Sequence, residues 1–245
     1  MKKTIVLFLI SLFILQSCIV NSEIVYHKDA TTTTVTDIDN RAFMAEMKAM
    51  TPDSLKQGEF GEMDKLPTTW TSIYELEKQE GKLKTQNPDS IKIMKKIFMK
   101  SKKENNEAAG FAFKLEHFSS NDYQSLKNFT KEEKLPLDQN IFNNWDGKTL
   151  TISTENFNLK NLEEAIRTKS SKEEAEKMEG MMTMFFKKIE TTLKFENKIK
   201  SITGKHDWLK QIDNYSVKIG YDLRTMYDKE AKFKNDDKKI IIVTE

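Results

Sequence analysis

The chain predicts an α+β fold: an antiparallel sheet built from N-terminal and C-terminal hairpins, with helices packed on one face. Three observations carry that expectation. Short β-prone runs separated by turn residues stand at both ends of the sequence. Segments with an apolar residue every three or four positions fill the middle. The 245 residues include fifteen Phe and twelve Met but only four Pro and eight Gly, a composition that suits a packed core and not a disordered stalk.

The elements follow in order. Glu23 to His27 is β-prone, Lys28-Asp29-Ala30 is a turn, and Thr31 to Ile38 is β-prone again. Asp39 or Asn40 caps a helix to about Met50, with Phe43, Met47 and Met50 on one face. Residues 51–65 read as loop. Trp70, Ile73, Tyr74 and Glu77 indicate a second helix, ended at Gly81. Pro88-Asp89-Ser90 opens a third, with Ile91, Met94, Ile97 and Phe98 on one face and Lys100 to Glu107 closing it. Gly110 to Phe118 alternates as a strand, and Ser119 or Ser120 caps a short helix through Phe129.

The second half opens on the clearest hairpin signal. Asn140 to Trp145 and Lys148 to Phe157 flank Asp146-Gly147, which predicts a type I′ turn. Leu159 to about Lys187 is the longest helical stretch, with Ala175, Met178, Met181, Met182 and Phe185 on its apolar face. Ile189 to Thr203 reads as one long strand bulged near Glu196-Asn197. Gly204 to Gln211 turns the chain, Tyr215 to Leu223 alternates, and Lys239 to Thr244 is a final strand. The run Ile240 to Val243 predicts burial on both its faces. Residues 23–245 read as a single domain, with 41–108 as an alternative helical lobe.

The first eighteen residues carry a different kind of signal. Met1-Lys2-Lys3 precedes an apolar run from Ile5 to Leu15, and Leu15-Gln16-Ser17-Cys18 follows. That run is too short for a comfortable membrane span. It looks like a bacterial lipoprotein signal peptide over residues 1–17, with Leu15 to Cys18 as its lipobox. The likeness implies cleavage between Ser17 and Cys18 and acyl chains, palmitate among them, on Cys18. Residues 18–22 would then be a lipidated tether; the four residues after Cys18 span at most about 13 Å. Two or more acyl chains anchor a protein stably to a membrane.

Cys18 is the only cysteine, so its acylation leaves no thiol for a disulfide. The formal net charge of +2 falls to zero once Lys2 and Lys3 leave with the leader. A neutral mature chain argues against nucleic acid as a partner. Ile19 stands where an Asp would retain similar lipoproteins in the inner membrane. The expected location is therefore the outer membrane on its periplasmic face, with the cell surface as the alternative.

The search for chemistry returns no G-x-S-x-G, G-x-x-x-x-G-K-[ST], H-E-x-x-H or G-x-G-x-x-G. His27, His117 and His206 lie far apart in sequence. His117 reads as a half-buried strand histidine, and Lys205-His206-Asp207 as a solvated turn. Asp37 and Asp39 lack the Gly and Glu offsets of a calcium loop, and capping explains Asp39. The Met178 to Phe186 cluster reads as core before binding surface. Trp70, Trp145 and Trp208 read as core or rim before sugar or peptide groove. Lys92 to Lys103 reads as a solvated helix face. The expectation is no catalytic residue, no metal and no cofactor.

The whole pattern resembles a family of uncharacterised lipoproteins from diderm bacteria. Its members begin with a lipobox and an E-x-x-Y-x-x-D-x-T hairpin, here Glu23, Tyr26, Asp29 and Thr31 to Thr34. They end with a Met-rich helix, an aromatic strand and a hairpin, here Met178 to Phe186, Lys187 to Gly204 and Tyr215 to Leu223. Glu196-Asn197 stands where similar proteins often carry a Pro. The resemblance supports the fold and the anchor and assigns activity to no residue. The expected function is that of a non-enzymatic envelope lipoprotein that binds another envelope component or maintains the envelope. Its alternative is a carrier of a small apolar ligand held between the sheet and the Met-rich helix. A hydrolase would need histidine and carboxylate pairs converging in a cleft.

Overall fold

The computed structural model describes residues 18–39, 41, 66–83, 85–104, 107–129, 143–154, 186–222 and 233–245. Their strands are β1 (Cys18–Tyr26), β2 (Thr32–Asp39), β3 (Thr71–Ser72), β4 (Ile97–Glu104), β5 (Glu107–Phe118), β6 (Asn143–Trp145), β7 (Thr149–Ser153), β8 (Phe186–Phe195), β9 (Ile199–Thr203), β10 (Leu209–Gln211), β11 (Ser216–Asp222) and β12 (Lys239–Thr244). The helices are α1 (Ile73–Gln79), α2 (Pro88–Met94) and α3 (Ser120–Phe129). An eight-stranded sheet runs β10-β11-β8-β1-β2-β5-β4-β3, and a four-stranded sheet runs β6-β7-β12-β9. The α+β class is therefore as expected.

Local chemistry explains the elements. Ser72 and Glu75 form a reciprocal capping box at the start of α1, and Gly81 takes φ +67° just past its end. Asn87 caps α2 ahead of Pro88. Before α3, the Ser119 hydroxyl accepts from the Asp122 N–H, while the Asp122 carboxylate accepts from the Ser119 N–H at 2.9 Å.

Register then sorts side chains into faces. Val217, Leu193, Ile24, Thr34, Leu115 and Ile97 are paired in one row across six adjacent strands. Paired residues share a face, so this row defines an inner face of the large sheet. Two apolar cores lie on it. The larger packs Ile24, Tyr26, Leu193, Phe195, Val217 and Ile219 against Trp145, Leu150, Ile152, Ile199, Ile240 and Ile242. The smaller joins Ile97, Leu115 and Phe118 to Ile93 and Leu126 of α2 and α3. Helices do cover one face, and the four-stranded sheet shares it with them.

Several expectations need correction. The tether over residues 18–22 is already strand: Ile19 to Ser22 pair with β2 on one side and β8 on the other. The β1–β8 pair is parallel, so the large sheet is mixed. Ile97 to Glu104 is β4 and not the end of a helix, because β5 offers a pairing edge along its whole length. Within 41–108 the described residues place β3, β4 and the start of β5 in the large sheet, beside α1 and α2. The strand expected over Ile189 to Thr203 is two. The chain turns at 196–198 and passes from the large sheet to the small one, which explains the slip in apolar phase. Lys187 is strand, not helix. Ile240 and Ile242 are fully buried, but Ile241 and Val243 on the other side are half-buried. Asp146 lacks the positive φ of a type I′ turn; Gly147 alone has it, at +96°. Apart from Arg41, the helix over 40–50 lies outside the described residues, as do the loop over 51–65 and nearly all of the Met-rich stretch 159–187.

Gly147 has a second constraint, since a Cβ there would lie 2.7 Å from the Lys28 carbonyl oxygen. The β6–β7 turn is thus pressed onto the β1–β2 turn. Gly147→Ala is expected to destabilise the fold by about 1–3 kcal/mol and Leu193→Ala by about 2–5 kcal/mol, read by urea denaturation. Ile212→Ala, at a residue 52% exposed, should change stability by less than about 0.5 kcal/mol.

Candidate functional site

The structure gathers polar chemistry where β1, β5 and β8 end together. His27 follows β1, Thr33 sits near the start of β2, Glu196 follows β8, and His117 lies in a bulge of β5. That bulge exists because Thr32 pairs with Phe118 and Thr34 with Leu115, leaving Glu116 and His117 opposite Thr33 alone. His117 takes φ +48° there. Its side chain is exposed, not half-buried as the alternation suggested, because the left-handed turn lets Phe118 take the inward position.

The hydrogen-bond order follows from the donors available. Glu196 accepts from His27 Nδ1 at 2.8 Å and from the Lys28 N–H at 2.9 Å. These two bonds, His27 first, hold its carboxyl below the usual carboxylate range. On the other side of the ring, Nε2 of His27 and the Thr33 hydroxyl share a hydrogen bond at 2.9 Å. Thr33 in turn accepts from the His117 N–H at 3.2 Å. The two imidazoles stack with centroids 4.3 Å apart. The Thr31 hydroxyl donates to Asp29 at 2.6 Å, so it accepts from His117 Nδ1 at 3.3 Å. The bonds from Thr31 keep the Asp29 carboxyl low as well. Finally, the Trp145 indole N–H donates to the His27 carbonyl at 2.8 Å, tying in the small sheet.

Hydroxyl, imidazole and carboxylate stand in the order of a nucleophile, its base and an orienting acid. Catalysis also needs donors aimed at a developing oxyanion. Here the N–H beside the hydroxyl, that of His117, is bound to the hydroxyl itself. Both His27 nitrogens and both Glu196 oxygens are engaged within the array, which works as a closed clamp. Among the described residues, no group of three or more His, Cys, Asp or Glu is placed to hold a metal ion.

The other candidates disperse. His206 is buried against Trp208 and Phe233, near Asp236, and burial lowers its pKa; it is not in a solvated turn. Asp37 pairs with Lys102 at 2.7 Å, and Asp39 binds the Arg41 guanidinium. Trp145 is core. Trp208 is half-buried beside it, and Trp70 is half-buried beneath the ammonium groups of Lys100 and Lys114, 4.7 and 5.5 Å from its ring centre. Lys92 lies on α2 and Lys100, Lys102 and Lys103 on β4, so no single helix face carries the basic stripe. The Met178 to Phe185 cluster lies outside the described residues.

On the outer face of the large sheet, a groove of about 270 Å³ is lined by Asn21, Glu23, Val35, Glu190, Thr192 and Lys218, among others. Its carboxylates are paired: Glu23 with Lys194 and Glu190 with Lys218, each at 2.7 Å. Exposed pairs of this kind contribute at most about 1 kcal/mol each, and they leave the groove with little net charge. The inner face differs. Between the two cores β2 presents a column of hydroxyls. Thr32 meets the Tyr123 hydroxyl at 3.0 Å, and Thr36 meets Ser22 at 3.1 Å. The Thr34 hydroxyl, in a residue 8% exposed, is buried without a hydrogen-bond partner among the described residues.

No family model matches the chain, and no curated protein matches it. Among solved structures it is similar to the NMR structure of the folded domain of the Mycobacterium tuberculosis LppM protein. The identity is 9%, the TM-score 0.38, and the match covers 94% of this chain and 90% of that one. A likeness at that score carries no argument about fold or activity.

The clamp has a pH signature. A carboxyl with a lowered folded pKa adds stability above its unfolded pKa, near 4.3 for Glu, and loses it as pH falls through the folded value. Stability should therefore decline on acidification below about pH 4.5. Glu196→Gln should flatten part of that decline in urea titrations across pH, whereas an unchanged pH profile would remove Glu196 from the account.

Proposed function

We propose that this chain is a lipid-anchored protein of the cell envelope, cut after Ser17 and acylated on Cys18, that acts by binding and not by catalysis. The observation that carries the anchor is the run Leu15-Gln16-Ser17-Cys18 behind a short apolar leader. What supports its mechanical sense is that Cys18 is the first residue of β1. An acyl anchor there would bear directly on a strand with neighbours on both sides. The absence of Asp at position 19 favours the outer membrane, and the periplasmic face is the side proposed. The membrane is one partner, through the acyl chains; an envelope component is the other.

The binding half of the reading is supported by the closed hydrogen bonding of the His27–Thr33–Glu196 array. It locks segments together and presents no free nucleophile. A second reading, binding of a small apolar ligand, has its own support. On the inner face, Met99, Phe111 and Phe113 with Ile38 form an apolar half-buried surface that, among the described residues, belongs to neither core.

Cys18→Ser should shift the protein from the membrane fraction to the soluble fraction of cells, or leave it as an unprocessed precursor. A membrane-bound, normally processed Cys18→Ser protein would overturn the anchor. On intact cells the protein should resist added protease, and rapid digestion would move it to the outer surface.

A further inference from the structure

We propose that the inner face of the large sheet, between its two cores, is a binding site for a single-chain amphiphile with an uncharged head. The head would meet the Thr34 hydroxyl, and the chain would lie along Phe113 and Phe111 toward the Cys18 end of the sheet. The inference rests on the apolar-ligand reading above and adds to it a place and a ligand class.

The starting point is the orphaned hydroxyl. A buried polar group without a partner costs about 1–3 kcal/mol, so each one calls for an explanation. Thr34 sits midway in a column whose other members, Thr32 and Thr36, each have a partner. Its row neighbours are Ile24 and Leu115, which offer no donor or acceptor from their side chains. A valine in its place would keep the shape without the penalty. The hydroxyl therefore has a use for a polar atom that arrives from outside the sheet.

Register supplies the rest of the ligand. Moving from the Thr34 row toward Cys18, the next inner-face row pairs Thr36 with Phe113 and Phe113 with Met99. The row after that pairs Ile38 with Phe111. All four apolar side chains are half-buried, while the residues that make up the two cores are buried. The Phe111 and Phe113 rings meet edge to face, 5.2 Å apart. From the Thr34 row to the Ile38 row is about 13 Å of strand. The surface is thus a lane with an unpartnered hydroxyl at its deep end, beyond which the hydroxyls of Ser22, Thr36 and Ser101 are already hydrogen-bonded and Phe113, Met99, Phe111 and Ile38 supply apolar walls toward the end where the acyl anchor is proposed.

The head is uncharged because the polar point lies between aliphatic residues. Burying an ionised carboxylate or sulfate there would cost far more than one hydroxyl hydrogen bond returns. A threonine hydroxyl both donates and accepts, so an alcohol, an ester carbonyl or a protonated acid fits.

The test uses the full mature chain carrying Cys18→Ser, titrated with 1-dodecanol below its solubility limit and with dodecyl sulfate below its micelle threshold, by calorimetry. Saturable binding of dodecanol, with dodecyl sulfate weaker, is the expected result. Thr34→Val should raise the unfolding temperature of the free protein and weaken dodecanol binding about five- to tenfold, the size of one lost hydrogen bond. Thr34→Ser should keep the wild-type affinity, and Phe113→Ala should weaken it. If neither amphiphile binds saturably, the ligand reading and this inference fall together. If dodecanol binds but Thr34→Val and Phe113→Ala leave it unchanged, the ligand reading stands and this site is wrong. Tighter binding of dodecyl sulfate would overturn the uncharged head.

Discussion

The parallel pairing of β1 with β8 is the constraint on which the rest of the fold depends. Parallel neighbours cannot be joined by a tight turn, so this contact spans most of the chain. His27 and Glu196, at its end, are 169 positions apart. On one side of the pair hang β2, β5, β4 and β3, and on the other β11 and β10. Tyr26 and Phe195, paired in register, stack with ring centroids 5.0 Å apart and both contact Trp145 of the small sheet. The larger core is therefore built around the same two strands that join the N-terminal and C-terminal halves.

The histidine clamp closes that pair. The ladder's backbone bonds end with Tyr26 and Glu196, where the chain turns away in both strands. Glu196 continues the contact with its side chain, holding the His27 ring and the Lys28 N–H, while its own N–H donates to the Tyr26 carbonyl at 3.2 Å. Connected networks of this kind rigidify when every member is satisfied. The inner-face threonine column is the opposite case. It stands between the two apolar cores, and among the described residues one of its hydroxyls has no partner. A fold that satisfies polar groups so fully at its end and leaves one bare at its centre gives the two places different roles, closure and recognition.

How much of this was legible in the sequence depends on distance along the chain. The hairpins Glu23 to Ile38 and Asn140 to Phe157, the helix openings at Pro88 and Ser119, and the strand Tyr215 to Leu223 rest on neighbours in sequence, and the described parts of them read correctly. The crossing from β8 to β9 did not, because alternation continues through it and only partner strands distinguish two sheets from one. Lys100, Lys102 and Lys103 read as a helix face because their strand partners lie in β5. The clamp was illegible for the same reason: it draws on turns of three separate strands, and nothing near His27 points to Glu196. The unmet hydroxyl of Thr34 had no signal at all; its alternation with Val35 predicts inward burial and says nothing of partners.

The central claim is that the proposed attachment residue opens directly into the central pair of strands, with no free tether between. Amide hydrogen exchange over residues 19–22 of the mature protein tests it most directly. These amides should exchange as slowly, as a group, as those of Ile24 to Tyr26, because both stretches lie between β2 and β8. Exchange at the rate of an unstructured peptide over residues 19–22, with Ile24 to Tyr26 still protected, would contradict the account.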